Sequence, residues 1–547
     1  MRNLWGLGPQ PDEGFWKHAG WSLARVFNLA YTELPPTDGS IELFGARRHA
    51  RDPTSDERNC RIAGGDIDTP QARLYDAAGA EIDFCDRVRR DSDLLSVRKP
   101  IVRLDLLVLG GGMAGLAAAA RAAESGAEVA VVEKGPRLGG SAALSAGILW
   151  TAPDVETLRE LVPGGDADLG RVLVEGFEPT VEWIRSTGVF VSERWEGQFG
   201  FGSAVRVDIP ALFEVWRHWI ERKGRVLLRA AGRHLLVDSD RRVCGARVEG
   251  SQGADEIRAG AVVLATGGFQ GDPGLLATFI GPPAESMLVR SNPWSVGDGF
   301  RLGRTAGGTA SRCLGGFYGH LVPSPLPRWG EEHFLPLTQY YSRHALLVNR
   351  LGRRFTDESL GDEVSNQATL RQPGARAVLI CDHAIRTRHA AAAPYPHGQV
   401  VDRIAEAEAA GGRFVSANTL DQLAAAVTRW GVVRQGLAET LESWAAGEAG
   451  GDVPRQMSLG APEEPPYYAL EVQPTITFPF GGLAVDADGR VLDRDGEPVR
   501  GLLAAGADAG GLQDGRYVGG LILGAVFGPR AADAALRTLR PAVAVDG

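Results

Sequence analysis

The sequence predicts an α/β fold, a parallel β-sheet with flanking helices that is split by an inserted α+β segment. Three observations carry this reading. Leu104–Leu109 is a continuous apolar run, followed by glycines, the alanine-rich stretch Met113–Ser125 and a second apolar run, Glu128–Glu133. That order is strand, helix, strand with short links, the unit from which parallel sheets are built. Further on, Ala261–Ala265 and Gly501–Ala505 are short apolar runs that end in T-G-G-F and G-A-D-A, so strands of the same kind recur far apart in the chain. Between them, from about 275 to 470, helical windows such as Ala405–Ala410 and Thr419–Val427 alternate with loops rich in proline and glycine.

With 547 residues the chain exceeds the size at which a single core keeps growing. The pattern assigns 101–275 and 470–547 to one domain, 276–469 to an inserted cap, and 1–100 to an N-terminal extension with Trp5, Trp16, Trp21, Phe27 and Tyr31 and helical potential at Phe15–Leu29. Short alternating fragments lie at Ala72–Tyr75 and Glu81–Phe84. Arg225–Ile257 reads as antiparallel hairpins, Leu483–Asp486 as a strand and Ala525–Leu539 as a helix. A formal charge of −10 argues against a nucleic-acid or anionic-membrane surface, either of which needs a basic face. Met1–Gln10 is glycine-rich and broken by Pro9, unlike a signal segment, and the most apolar windows are punctuated by glycine, so no membrane span is expected. The expectation is a soluble, cytoplasmic protein, with self-association a role open to residues 1–100. Cys60, Cys85, Cys244, Cys313 and Cys381 are widely spaced, with no pattern for a zinc or iron–sulfur site, so no metal is expected.

Gly110, Gly112 and Gly115 form G-x-G-x-x-G at the junction of the first strand and helix. The first allows a tight turn and the second lets a pyrophosphate approach the backbone. The third allows close helix–strand packing, and the N–H groups of the helix start, Met113 and Ala114 included, face the phosphates. Glu133 ends the second strand, where a carboxylate can accept both ribose hydroxyls. An adenine dinucleotide in a Rossmann-like domain follows. The next loop, from Lys134 through Gly140, Ser141 and Ser145, carries a second glycine pair and small residues, giving a close-approach surface suited to FAD. Gly147 at its end and Asp298 in V-G-D-G-F are counted with it.

These segments, with V-N-R-L-G-R-R-F-T-D-E, T-F-P-F-G-G-L-A-V-D, G-L-L-A-A-G-A-D-A-G-G and Y-V-G-G-L-I-L-G-A-V-F-G, run in order from about 104 to 535. The chain resembles the fumarate reductase/succinate dehydrogenase-type flavoproteins, in particular the soluble branch with 3-ketosteroid dehydrogenases and tricarballylate dehydrogenase. The resemblance implies FAD contacts at Thr266, Gly267, Gly506 and Asp508. It also implies backbone groups at Gly520, Leu521 and Leu523 facing the flavin from the start of the last helix. Ala507 stands where the family's motif has glutamate, leaving Asp508 to compensate. Ser141 lies near the place of a flavin-linking histidine in some relatives and 134–150 contains no histidine, so the FAD is expected to be noncovalent.

Matched residue by residue, the charged dicarboxylate clamp of the fumarate reductases is largely gone. Phe478 takes the place of a clamping histidine and Tyr517 that of an anion-binding arginine. The proton-donating arginine falls at about Asp362, which argues against fumarate reduction. Tyr517 instead resembles the ketosteroid dehydrogenases' carbonyl-polarising tyrosine, with Val518 in place of its following proline. His320 resembles a substrate-binding histidine, and Tyr340 and Tyr341 are further candidates for proton transfer, while Arg353 and Arg354 read as structural. The resulting expectation is a dehydrogenase introducing a carbon–carbon double bond next to the carbonyl of a hydrophobic, steroid-like ketone, with oxygen or a quinone-like compound as external electron acceptor. The alternatives are dehydrogenation of a tricarballylate-like polycarboxylate, or a noncatalytic assembly role.

Overall fold

The computed structural model describes residues 104–539, apart from 199–201, 252, 328, 397 and 449–452, together with a short ladder near residue 80. The chain forms two compact units, Met1–Pro100 and Ile101–Gly547. In the first, Leu74–Tyr75 pairs antiparallel with Glu81–Ile82. The tryptophan-bearing stretch Trp5–Tyr31 and its expected helix lie outside the described residues.

The second unit is built around strands β1 (Leu104–Leu109), β2 (Val129–Val132), β3 (Arg225–Leu227), β4 (Ala230–Val237), β5 (Val243–Gly250), β6 (Gly253–Leu264), β7 (Arg490–Leu492) and β8 (Pro498–Ala504). Their order across the sheet is β7-β8-β6-β1-β2-β3, parallel from β8 to β3. β1, β2 and the second half of β6 are buried on both faces, which is why they read as unbroken apolar runs rather than alternating ones. The expected hairpins need one correction. β3 does not join them but pairs parallel with β2, Val131 opposite Val226, and only β4, β5 and the first half of β6 form an antiparallel meander. Leu483–Asp486 makes isolated bridges rather than a regular strand. The fold is thus α/β, with a Rossmann-like domain and further β-rich subdomains.

Helix α1 (Met113–Glu124) follows β1, and α2 (Leu521–Leu539), starting four residues before the expected Ala525, packs across it. The two helices can approach because only small residues meet. A Cβ on Gly528 would overlap the Ala114 carbonyl, and one on Gly524 would lie 2.9 Å from the Ala114 nitrogen.

A second, antiparallel sheet, built from the inserted region and the strand that leaves it past residue 469, runs Val322–Pro323, Tyr467–Gln473, Ala377–Cys381, Leu346–Val348, with Phe414–Ala417 also paired to Tyr467–Gln473. Its strands alternate as a two-sided sheet must. Leu347, Leu379 and Leu470 pack on one face, and Leu346, Val348, Val378 and Ile380 on the other beneath the helices bearing Leu423, Val427, Leu437, Leu441 and Trp444. Arg354 pairs with Glu358 at 2.6 Å with neither side chain exposed, and Arg455 joins the same carboxylate at 2.9 Å. Among the described residues no helix is long and apolar enough to cross a membrane.

The helix contact yields a test. Gly528→Ala forces a methyl group into the Ala114 backbone and is expected to cost about 1–3 kcal/mol, the usual range for overpacking. A melting temperature equal to that of the wild type would contradict the packing described.

Candidate active site

The carboxyl ends of β1 and β6 and the amino ends of α1 and α2 meet at one elongated cleft. Strands of a parallel sheet all point their carboxyl ends the same way, so turns distant in sequence converge there. Gly110, at φ +112°, makes the turn out of β1 in a conformation that favours glycine, and a Cβ there would overlap the Ala265 carbonyl. Gly115 does not line the cleft; a Cβ on it would strike the Gly110 carbonyl, which is the helix–strand packing role expected of the third glycine. Gly112 differs from both. The nearest atom to a Cβ there is the Gly139 carbonyl at 4.0 Å, so the space beside it belongs to the cleft. Its helix has no side-chain cap, and the first-turn N–H groups are available to an anion.

Glu133 is buried and accepts from the N–H of Gly111 at 2.8 Å and of Gly135 at 2.5 Å, one bond on each carboxylate oxygen. A carboxylate has about four acceptor positions, so two remain toward the cleft, which Glu133 lines. Lys134 pairs with Asp298 at 2.7 Å, both lining the cleft. Gly140, Ser141 and Ser145 line it as well. The Ser141 hydroxyl accepts from Asn292 Nδ2 at 2.7 Å, and the Ser145 hydroxyl donates to the Ala142 carbonyl at 2.7 Å. From the C-terminal pass come Gly506, Gly520, Leu521 and Leu523, and from the turn after β6 come Thr266 and Gly267. Met113 and Ala114 complete this half.

Two expected contacts are placed elsewhere. Gly147, at φ +77°, faces the Val207 carbonyl and does not line the cleft. Asp508 is fully buried behind it, its carboxylate accepting from the Thr266 N–H, from Thr266 Oγ1 at 3.1 Å and from the Gly268 N–H at 3.1 Å. Three of its roughly four acceptor positions serve the turn after β6, and it does not line the cleft, so its place is in the fold rather than against a ligand.

The other half of the cleft is aromatic. Tyr318, Phe334, Tyr340, Tyr395, Phe478 and Tyr517 line it, with Arg290 among them. Tyr517 and Tyr318 stack at 3.7 Å between ring centroids and 13° between planes, and Trp150 meets Tyr517 edge-on at 5.4 Å. The Gly520 N–H donates to the Tyr517 hydroxyl oxygen at 2.9 Å. Burial pushes the Tyr517 phenol up to about 12, against the downward pull of that N–H, and burial likewise raises Tyr318 and Tyr340. These hydroxyls are therefore neutral donors at ordinary pH.

Of the remaining sequence candidates, Tyr340 lines the cleft whereas its neighbour Tyr341 does not. Tyr341 is 2% exposed and packs with Leu347 and Leu379 in the core of the antiparallel sheet, because adjacent residues of the tight helical turn Tyr340–His344 point in different directions. His320 also lies off the cleft, 1% exposed, directly behind Tyr318. Tyr318, Arg290, Asn292 and Tyr395 escape the sequence reading. Only Tyr318 leaves a signal there, since in F-Y-G-H it stands two residues from His320 and an extended chain turns both side chains to one side.

The uncapped helix start, the open space at Gly112 and the two unused acceptor positions of Glu133 all fit a bound dinucleotide. Glu133→Ala is expected to weaken FAD affinity by about 1.5–3 kcal/mol per charge-assisted bond lost, while Glu133→Gln loses less. Unchanged affinity in the alanine variant, read by flavin fluorescence on titration, would contradict the assignment.

Comparison with known proteins agrees with this geometry. Residues 105–521 match the family described as FAD binding domain. A fumarate reductase (cytochrome) of Shewanella frigidimarina is 27% identical over 466 residues, covering 80% of this chain and 76% of that protein. A 4-oxocyclohexanecarboxylate 2-dehydrogenase of Sinomonas cyclohexanicum is 26% identical over 556 residues, covering 79% and 92%. Among solved structures, 3-ketosteroid Δ1-dehydrogenase from Sterolibacterium denitrificans aligns with a TM-score of 0.65 at 20% identity, covering 80% of this chain and all of that one, which shows the shared fold. The chain belongs to the FAD-binding-domain family, related to the fumarate reductase flavoproteins, and is an oxidoreductase that holds FAD noncovalently and acts on CH–CH groups.

Proposed function

We propose that the enzyme interconverts a CH–CH and a C=C bond in a compound that has an apolar, ring-sized body and one carboxylate. Arg290 carries this reading. It is 1% exposed and lines the aromatic half of the cleft. Its three hydrogen bonds go to neutral acceptors, Thr338 Oγ1 at 3.0 Å, Thr477 Oγ1 at 3.1 Å and the Phe334 carbonyl at 2.8 Å, and it stacks 3.6 Å from the Phe334 ring centre. Three of its five N–H groups are used, leaving one on each terminal nitrogen. Buried charges are ordinarily paired, and no carboxylate among the described residues pairs with this one, so a ligand carboxylate suits it. The nearby Arg403 is different, since it is held by the Ala390, Ala392 and Val401 carbonyls and does not line the cleft.

Among the described residues the other cation that lines the cleft is Lys134, already paired with Asp298. One free cation supports one carboxylate more than a polycarboxylate, and the rings of Tyr318, Phe334, Tyr395 and Phe478 support an apolar body. Two of the relatives are enzymes of acids, fumarate and 4-oxocyclohexanecarboxylate, which supports an acid over a neutral steroid-like ketone. Bound FAD supplies the hydride acceptor or donor. Tyr517, hydrogen-bonded with the Gly520 N–H, Trp150 and Tyr318, presents a held hydroxyl group to a substrate carbonyl and stabilises charge developing there. Electrons pass on to an external acceptor, oxygen or a quinone-like compound.

A neutral hydrophobic ketone remains the second reading, because Tyr517 would polarise it equally well. Anaerobic flavin reduction separates the two. Ring-bearing monocarboxylates are expected to react, tricarboxylates and neutral ketones far less, and Arg290→Gln is expected to raise KM for the acid by roughly 10–100-fold, with Arg290→Lys intermediate. Equal reduction by neutral ketones and an unchanged KM in Arg290→Gln would overturn the carboxylate reading.

A further inference from the structure

We infer that Tyr318, His320 and Asp362 form a proton relay, with Tyr318 as the residue that exchanges a proton with the substrate carbon. The inference rests on the CH–CH chemistry proposed above and not on which acid or ketone is the substrate. Tyr318 lines the aromatic half of the cleft and stacks on Tyr517, so its hydroxyl faces the same space. Behind it, His320 Nε2 lies 2.6 Å from the Tyr318 hydroxyl, and His320 Nδ1 is hydrogen-bonded to Asp362 Oδ2. His320 and Asp362 are both buried, 1% and 5% exposed.

The backbone fixes this line of three groups. Tyr318 is paired opposite Phe478 in a short ladder, and the Thr475 hydroxyl accepts from the His320 N–H at 3.1 Å and donates to its carbonyl at 2.7 Å. Asn366 in turn bonds both backbone groups of Thr475 at 2.9 Å. Gly319 is glycine because a Cβ would overlap the Thr475 carbonyl. Asp362 occupies the first turn of the helix Asp362–Leu370 that also carries Asn366, so the acid and the clamp on its histidine share one rigid element.

A carboxylate on Nδ1 fixes the tautomer with hydrogen on Nδ1, leaving Nε2 to accept from the phenol. The chemistry then balances without a free phenolate, which the raised Tyr318 pKa disfavours. In the oxidising direction the bond from the substrate α-carbon to hydrogen breaks and its proton goes to the Tyr318 oxygen. The Tyr318 O–H proton passes to His320 Nε2, and Asp362 stabilises the imidazolium. The electron pair left on carbon becomes the C=C bond as hydride leaves the β-carbon, the hydride being what a bound FAD would accept. In the reducing direction each transfer reverses. Tyr318 is thus the catalytic residue, and His320 and Asp362 are positioning residues that act through it.

The groups facing His320 set its pH behaviour. Burial lowers its pKa below the ordinary 6.5, Asp362 opposes this, and Arg290 adds to the lowering; the neutral rings of Tyr318 and Tyr340 complete its surroundings. His320 is neutral above that lowered pKa and accepts protons there, so the oxidation rate is lost as pH falls through it. Removing the opposing carboxylate in Asp362→Asn moves this acid limb to lower pH.

Two measurements on the FAD-loaded protein test the relay. In the first, 15N NMR of labelled histidine reads the tautomer without any substrate. The expected result is hydrogen on Nδ1 of His320, with an Nε2 shift that changes in Tyr318→Phe. Hydrogen on Nε2, or a signal indifferent to Tyr318→Phe, would overturn the relay. In the second, using whichever compound reduces the wild-type flavin, Tyr318→Phe is expected to lower kcat about 100-fold or more with little change in KM, and His320→Gln to lower it less. Wild-type kcat in Tyr318→Phe would overturn the proposal. Failure of every carboxylate to react with wild-type enzyme would instead count against the substrate reading, leaving the NMR result to decide the relay.

Discussion

A single buried carboxylate joins the two halves of the dinucleotide site. Asp508, on the C-terminal pass, bonds the Thr266 and Gly268 N–H groups 242 and 240 residues earlier, and the same Thr266 hydroxyl accepts from the Gly299 N–H at 2.9 Å. With the Ala505 N–H donating to the Leu264 carbonyl at 2.9 Å, the turns that follow β6 and β8 are locked side by side. Burial raises the Asp508 pKa, and the Thr266 and Gly268 bonds that hold the charged form oppose this. Beyond this clasp the last helix starts at the cleft, which Gly520 and Leu521 line.

The aromatic half depends on the same convergence one layer further out. Segment 475–479 pairs with Leu288–Val289 on one side and Phe317–Tyr318 on the other. It thereby sets Arg290, Tyr318 and Phe478 around one space. Rings line this half, and one guanidinium, Arg290, joins them from just past the short strand Leu288–Val289, a position the sequence reading does not single out. A pocket of this kind holds a flat apolar body by contact area and fixes its direction through one charge.

The sequence makes the dinucleotide half legible because its constraints are local and steric. Gly115 is forced by the Gly110 carbonyl within the same turn, Gly110 by the positive φ of the turn out of β1, and Glu133 by its place at a strand end. The parallel place of β3 is not legible, since V-L-L next to the true hairpins carries the same apolar pattern and only contact with β2 decides its direction. The aromatic half is harder still, as its residues come from loops at 290, 318, 334–340, 395, 478 and 517 that no spacing rule connects. Tyr340 and Tyr341 are equivalent as letters, and a turn places one in the cleft and the other in a core. Asp508 shows the opposite failure, a residue correctly placed near the site whose bonding capacity is already committed to the fold.

The most direct test of this account is a crystal structure of the enzyme with FAD and an unreactive ring-bearing carboxylate. The account predicts the pyrophosphate at Gly112 and the helix start, the ribose at Glu133, the ligand carboxylate on Arg290 and its ring against the aromatic wall that Tyr318 and Phe478 line. A ligand carboxylate directed away from Arg290, with the guanidinium still bound only by Thr338, Thr477 and Phe334, would contradict it.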